Sequence, residues 1–124
     1  MHILVIDDDR AIRDSLRITL EYEGYEIADA ATGREGLALV RRETPDLVLL
    51  DVEMPGMNGL EVLKGLHTTH QSLPVVLMSA HGVTAIVVEA MRAGAVDFLE
   101  KPFENTDRLR TTIHSAIEQA RLLG

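Results

Sequence analysis

Ile3-Leu4-Val5-Ile6-Asp7-Asp8-Asp9 is a four-residue apolar run that stops at three carboxylates. A short β-branched run of this kind suits a strand buried on both faces, and such strands belong to parallel sheets covered by helices on each side. The pattern recurs along the chain. Leu47-Val48-Leu49-Leu50 stops at Asp51, Val75-Val76-Leu77-Met78 at Ser79, and Val96-Asp97-Phe98-Leu99-Glu100 at Lys101. In a parallel α/β sheet the carboxyl ends of the strands share one edge, so carboxylates, hydroxyl and amine are expected to converge there.

Between these runs lie helical patterns. Asp9 can cap a helix in which Ile12, Leu16 and Leu20 recur at helical spacing, with Gly24 as its stop. Tyr25 to Ala30 reads as a second strand, and Thr32-Gly33 opens a helix carrying Leu37 and Val40. Asn58 can cap a helix with Leu60, Leu63 and Leu66, and a fourth helix is expected over 83–93, packing through Ile86, Ala90 and Met91. Asn105 can cap the last, whose apolar face is Leu109, Ile113, Ala116, Ile117 and Ala120. Five βα units of this kind predict an α/β fold with a doubly wound parallel sheet.

Composition narrows the chemistry. The 124 residues suffice for one core, and no Cys is present, which excludes disulfides, thiolate catalysis and Cys-ligated zinc. No apolar stretch approaches the roughly 20 residues of a membrane span, so a cytoplasmic protein with no membrane contact is expected. The net charge of −8, from 12 basic and 20 acidic residues, argues against direct nucleic-acid binding, which needs clustered Lys and Arg. It suits a cation instead.

The expected topology makes the first and third strands neighbours, which brings Asp7 and Asp8 beside Asp51. Three crowded carboxylates repel unless a cation intervenes, and an all-oxygen site with room for water suits Mg²⁺. Their charge with Mg²⁺ sums to −1, and Lys101 brings it to zero. An acyl phosphate on Asp51 would add negative charge and acceptor oxygens, which Mg²⁺, Lys101 and the Ser79 hydroxyl could take. That is the equipment of phosphoryl transfer, whose catalysis is mostly positioning and neutralisation.

Asp7-Asp8-Asp9, the run Asp51-Val52-Glu53-Met54-Pro55-Gly56-Met57-Asn58-Gly59, Met78-Ser79-Ala80-His81-Gly82 and residues 94–103 together resemble the receiver domain of two-component response regulators. The resemblance covers the whole chain. It implies a flavodoxin-like (βα)5 sheet in the order 2-1-3-4-5 and phosphorylation of Asp51 by a histidine kinase or phosphotransfer protein. It also implies Mg²⁺ held by Asp8, Asp51 and the backbone carbonyl of Glu53, with Asp7 acting partly through water. Lys101 would contact the phosphate, Ser79 would be the switch hydroxyl and Phe98 the switch aromatic, and Lys101-Pro102 would be cis. Having no hydroxyl, Phe98 would be biased by packing alone. Slow self-dephosphorylation rather than enzymatic turnover is implied.

Residues 94–103 are similar to receivers attached to DNA-binding transcription regulators, so residues 1–124 are read as a receiver domain that either stands alone or heads a longer regulator. Glu53 and His81 are expected to overlook the site and tune phosphoryl lifetime. The fourth helix, poor in charge and rich in β-branched residues, is expected to form a switch-dependent homodimer or partner face with the fifth strand and fifth helix. His67 and His70, three apart, suit a solvated helix end better than a metal site. Two other functions fit fewer residues: a phosphorylation-independent binding module, and a Mg²⁺-dependent phosphohydrolase with Asp7 as nucleophile and Asp9 as its partner.

Overall fold

The computed structural model describes residues 1–103 and 105–123. Its strands are β1 (His2–Ile6), β2 (Glu26–Ala30), β3 (Leu47–Asp51), β4 (Val75–Ser79) and β5 (Asp97–Glu100). Its helices are α1 (Arg10–Tyr22), α2 (Gly33–Arg42), α3 (Gly59–Thr69), α4 (Ala85–Arg92) and α5 (Thr106–Leu123). The five strands are parallel in the order β2-β1-β3-β4-β5, as the resemblance implied.

Alternation along the strands divides the core in two. Ile3, Val5, Leu47, Leu49, Val76 and Met78 face Leu16 and Leu20 of α1 and Ile113 and Ile117 of α5. Leu4, Ile6, Val48, Leu50, Val75 and Leu77 face Val40 of α2, Val62 and Leu63 of α3, and Val87 and Ala90 of α4. With both faces covered, β3 and β4 are buried along their whole length, which is why they read as unbroken apolar runs.

The helix starts follow the side chains. Asp9 caps α1 by accepting from the Ala11 N–H, and Asn105 accepts from the N–H groups of Asp107 and Arg108. Asn58 forms a reciprocal capping box with Glu61, a partner the sequence reading had not named. The fourth helix is shorter than the expected 83–93, because Thr84 is its N-cap, accepting from the Val87 N–H, and the first helical residue is Ala85. Met91 is not part of either buried cluster. It is 37% exposed and lies at the edge of the buried stripe, whose fully covered members are Val87 and Ala90. β5 begins at Asp97 rather than Val96, although the Val96 N–H still bonds Val75 at 2.9 Å.

Candidate functional site

The order 2-1-3 makes the chain wind one way from β1 and the other way from β3, and a crevice opens at the carboxyl edge between them. The register pairs Ile6 with Leu50, so Asp7 and Asp51 stand side by side just beyond it. Asp8 follows on the β1–α1 turn. Oxygens from Asp7, Asp8 and Asp51 lie within 4.8 Å of one another, with Asp7 and Asp51 buried and Asp8 exposed. On the far side Lys101 extends β5, its N–H bonded to the Ser79 carbonyl at 2.8 Å, and the Lys101-Pro102 peptide is cis as expected.

Two features hold this edge in place. Arg13 donates to the Asp7 carbonyl at 2.7 Å and to Asp29 at 2.8 Å, tying the β1–α1 turn to β2. Gly59 admits the turn after β3: a Cβ there would lie 2.6 Å from Val52 Cα and 3.1 Å from the Asp51 carbonyl oxygen. Sequence reading missed Arg13, whose partner is sixteen residues away and carries no local signal.

The charges are unevenly shared. Lys101 Nζ lies 2.7 Å from Asp7 Oδ2 but 3.4 Å from Asp51 Oδ1. Burial would lower the lysine's pKa, but the two carboxylates together outweigh burial and hold it above its ordinary value. Asp51 keeps the smaller share. Burial pushes its carboxyl up to about 6, opposed by the Glu53 N–H at 3.1 Å and by Lys101, and reinforced by the charge of Asp7.

The same crowding fits a hard cation. Asp7 Oδ2 is buried with no hydrogen bond aligned on it, so Lys101 meets it as a charge and an acceptor site remains open. Asp8, exposed beside it, leaves space for water. Oxygen donors of this kind, partly hydrated, match Mg²⁺ in type.

Ser79 is fully buried, and its hydroxyl is occupied: it donates to the Gly82 carbonyl at 3.1 Å and accepts from the His81 N–H at 3.2 Å. Phe98 is half-buried, paired with Leu77 across the sheet and packed on the layer that contains Val87 and Ala90. Glu53 and His81 are not independent solvated loop residues. Glu53 Oε2 lies 3.3 Å from His81 Nε2, and Glu53 Oε1 accepts from the Ala80 N–H at 2.8 Å, joining the loops after β3 and β4. The carboxylate of Glu53 therefore turns to the β4–α4 loop rather than to Lys101. His67 and His70 diverge, one meeting the Leu73 carbonyl and the other Thr44 and Thr69.

An α/β sheet with acids and a lysine gathered at its switch point defines the class of domain. Residues 3–114 match the response regulator receiver domain, and the chain belongs to that family. It is 44% identical over 119 residues to the transcriptional regulatory protein FixJ of Bradyrhizobium diazoefficiens, which covers 96% of this chain and 58% of that one. NtrX from Brucella abortus in complex with ADP matches at TM-score 0.92 and 40% identity, over 98% of this chain and 28% of that chain. A CheY-like receiver domain from Methanospirillum hungatei JF-1 matches at TM-score 0.93 and 34% identity, over 99% of this chain and 98% of that one. The chain thus spans little more than half of FixJ and under a third of NtrX. No helix among the described residues is long and apolar enough to cross a membrane.

Proposed function

We propose that Asp51 accepts a phosphoryl group from a histidine kinase or phosphotransfer protein and that the resulting acyl phosphate switches an interface of this domain. The observation that carries the reading is the position of Asp51: a buried carboxylate at the end of β3, beside Asp7 and Asp8 on one hand and Lys101 on the other. One Asp51 oxygen attacks phosphorus in line as the bond to the donor imidazole breaks, and that imidazole carries its proton away. Asp8, Asp51 and the Glu53 carbonyl would hold Mg²⁺, with Asp7 acting partly through water. Mg²⁺ when bound neutralises charge on the transferred group.

Lys101 leaves part of its contact with Asp7 to meet one phosphoryl oxygen, and Ser79 turns from Gly82 to meet another. The space Ser79 vacates admits the Phe98 ring, and the change spreads to the surface of α4, β5 and α5, where Val88, Met91 and Val96 are exposed for a second copy or another partner. Residues 1–124 serve as the receiver portion of a transcription regulator, in keeping with the relatives' names. Asp7 is a poor nucleophile by comparison, because one oxygen accepts from the Asp9 N–H and the other faces Lys101.

Incubation with Mg²⁺ and a small acyl phosphate, followed by borohydride trapping and mass spectrometry, tests the assignment. Label at Asp51 supports it. Label at Asp7 with repeated turnover, or unchanged uptake by Asp51→Asn, overturns it.

A further inference from the structure

Asp8 is the least supported acid of the site. Its side chain is exposed and makes no hydrogen bond or ion pair among the described residues, whereas Asp7 accepts from the Asp9 N–H at 2.9 Å and faces Lys101. The aim of Asp8 is therefore inherited from the backbone of the β1–α1 turn. The Asp7 carbonyl and the Asp8 N–H belong to one planar peptide, so whatever holds that carbonyl sets the direction in which the chain enters Asp8. Arg13 of α1 holds it at 2.7 Å, with a side chain only 13% exposed. The guanidinium is fixed in turn. Its Nε donates to Asp29 Oδ2 at 2.8 Å, and the other Asp29 oxygen accepts at 2.8 Å from Arg17, which also bonds the Ile27 carbonyl at 2.7 Å. Asp29 thus neutralises Arg13 as well as placing it, and the arginine meets a carbonyl of the acidic turn rather than one of its carboxylates.

We propose that Arg13, held by Asp29, is a positioning residue for the Mg²⁺ site: by pinning the Asp7 carbonyl it keeps Asp8 aimed at a cation that the arginine does not itself touch. The inference rests on the reading of Asp7, Asp8 and Asp51 as that site. In the metal-free protein these three carboxylates repel, and the exposed Asp8 is the one with room to swing away. A turn released from Arg13 lets it do so, and the cation must then gather it again, which lowers affinity. Outer contacts that orient metal ligands are typically worth roughly tenfold or more in affinity. Charge acts in the opposite sense: a cationic Arg13 repels Mg²⁺, so loss of the arginine would tighten binding if its charge outweighed its hold on the turn.

The test is an NMR titration of the 124-residue chain with Mg²⁺, followed at the backbone amides of Asp8 and Asp9, beside urea unfolding in chelator. Arg13→Met should bind Mg²⁺ roughly tenfold more weakly than the parent. Arg13→Lys keeps the charge but lacks the fork that reaches the carbonyl and Asp29 together, and should lose part of that factor. Asp29→Asn should weaken binding in the parent and add nothing to Arg13→Met, because it acts through the arginine. Arg17→Met removes bonds of the same kind between α1 and β2 but leaves the Asp7 carbonyl held, so it should lower stability while leaving Mg²⁺ affinity nearly unchanged. Unchanged or tighter binding by Arg13→Met overturns the inference, as does an equal loss in Arg17→Met, since general loosening would then suffice. Should Arg13→Met not fold, Arg13→Lys against Arg17→Met decides in the same way. Failure of the parent to bind, or binding of parental strength in Asp8→Asn, overturns the metal reading beneath it and the inference with it.

Discussion

Replacing Asp51 with asparagine should make the metal-free protein more stable at neutral pH, although it removes the central residue of the site. Burial raises the folded-state pKa of Asp51 from 3.8 to about 6, so folding at pH 7 forces a charge into a place that disfavours it. At 2% exposure the side chain has little solvent to screen that cost. Each pKa unit corresponds to about 1.36 kcal/mol, which makes the destabilisation about 3 kcal/mol at pH 7.5. The sign follows from proton counting: between the two pKa values the folded state binds more protons than the unfolded one, so this contribution to stability falls as pH rises through the window. At pH 5 only about half of the cost has developed, and near pH 4 most of it is gone. Asparagine retains an oxygen for the Glu53 N–H, and Lys101 retains Asp7. Urea unfolding of both proteins in chelator at pH 7.5 and pH 5 measures the difference directly. A variant no more stable than the parent at pH 7.5, or a gap that does not shrink at pH 5, would rule out a buried charge at Asp51 as the source of the cost.

Other perturbations probe the same edge. Mg²⁺ should stabilise the parent by about 2.7 kcal/mol at a hundredfold excess over its dissociation constant, and Asp8→Asn should lose most of that gain, as read from denaturation midpoints across a Mg²⁺ titration. Lys101→Met should cost roughly 3–5 kcal/mol without metal, because it strips the buried Asp7 of its counter-charge; unfolding in chelator would show it, and added Mg²⁺ should recover part of the loss. Gly59→Ala should cost roughly 1–3 kcal/mol, because its Cβ would meet the Val52 backbone, and should slow labelling of Asp51 by an acyl phosphate.

The fold was legible because its signal is local and repeated. Apolar runs such as Leu47 to Leu50 can only be buried from both sides, and capping residues such as Asn58 mark where the intervening helices start. Asp7, Asp8, Asp51 and Lys101 were legible for the same reason, since a parallel sheet delivers every strand end to one edge. What the sequence did not reveal are contacts chosen by three-dimensional approach. Met91 was assigned with Ile86 and Ala90 to the face of α4 that packs on the sheet, whereas the most deeply covered positions are Val87 and Ala90. Glu53 and the Ala80 amide are 27 residues apart, and no spacing rule pairs a carboxylate with a particular backbone N–H across two loops.

These long-range contacts bear on how such a site can switch. Both side chains assigned to read a phosphoryl oxygen already have partners: Asp7 for Lys101 and Gly82 for the Ser79 hydroxyl. Phosphorylation of Asp51 would therefore exchange bonds rather than create them, and only the difference between old and new partners can shift the conformational equilibrium. Asp51 contributes to that difference before any transfer, since its carboxylate is costly in the resting site and the unequal sharing of Lys101 leaves it the less compensated acid. The depth of the switch is then set as much by the strength of the resting bonds as by the charge of the phosphoryl group. A substitution at Asp7 should consequently tune the resting balance even where Asp51, Ser79 and Lys101 are untouched.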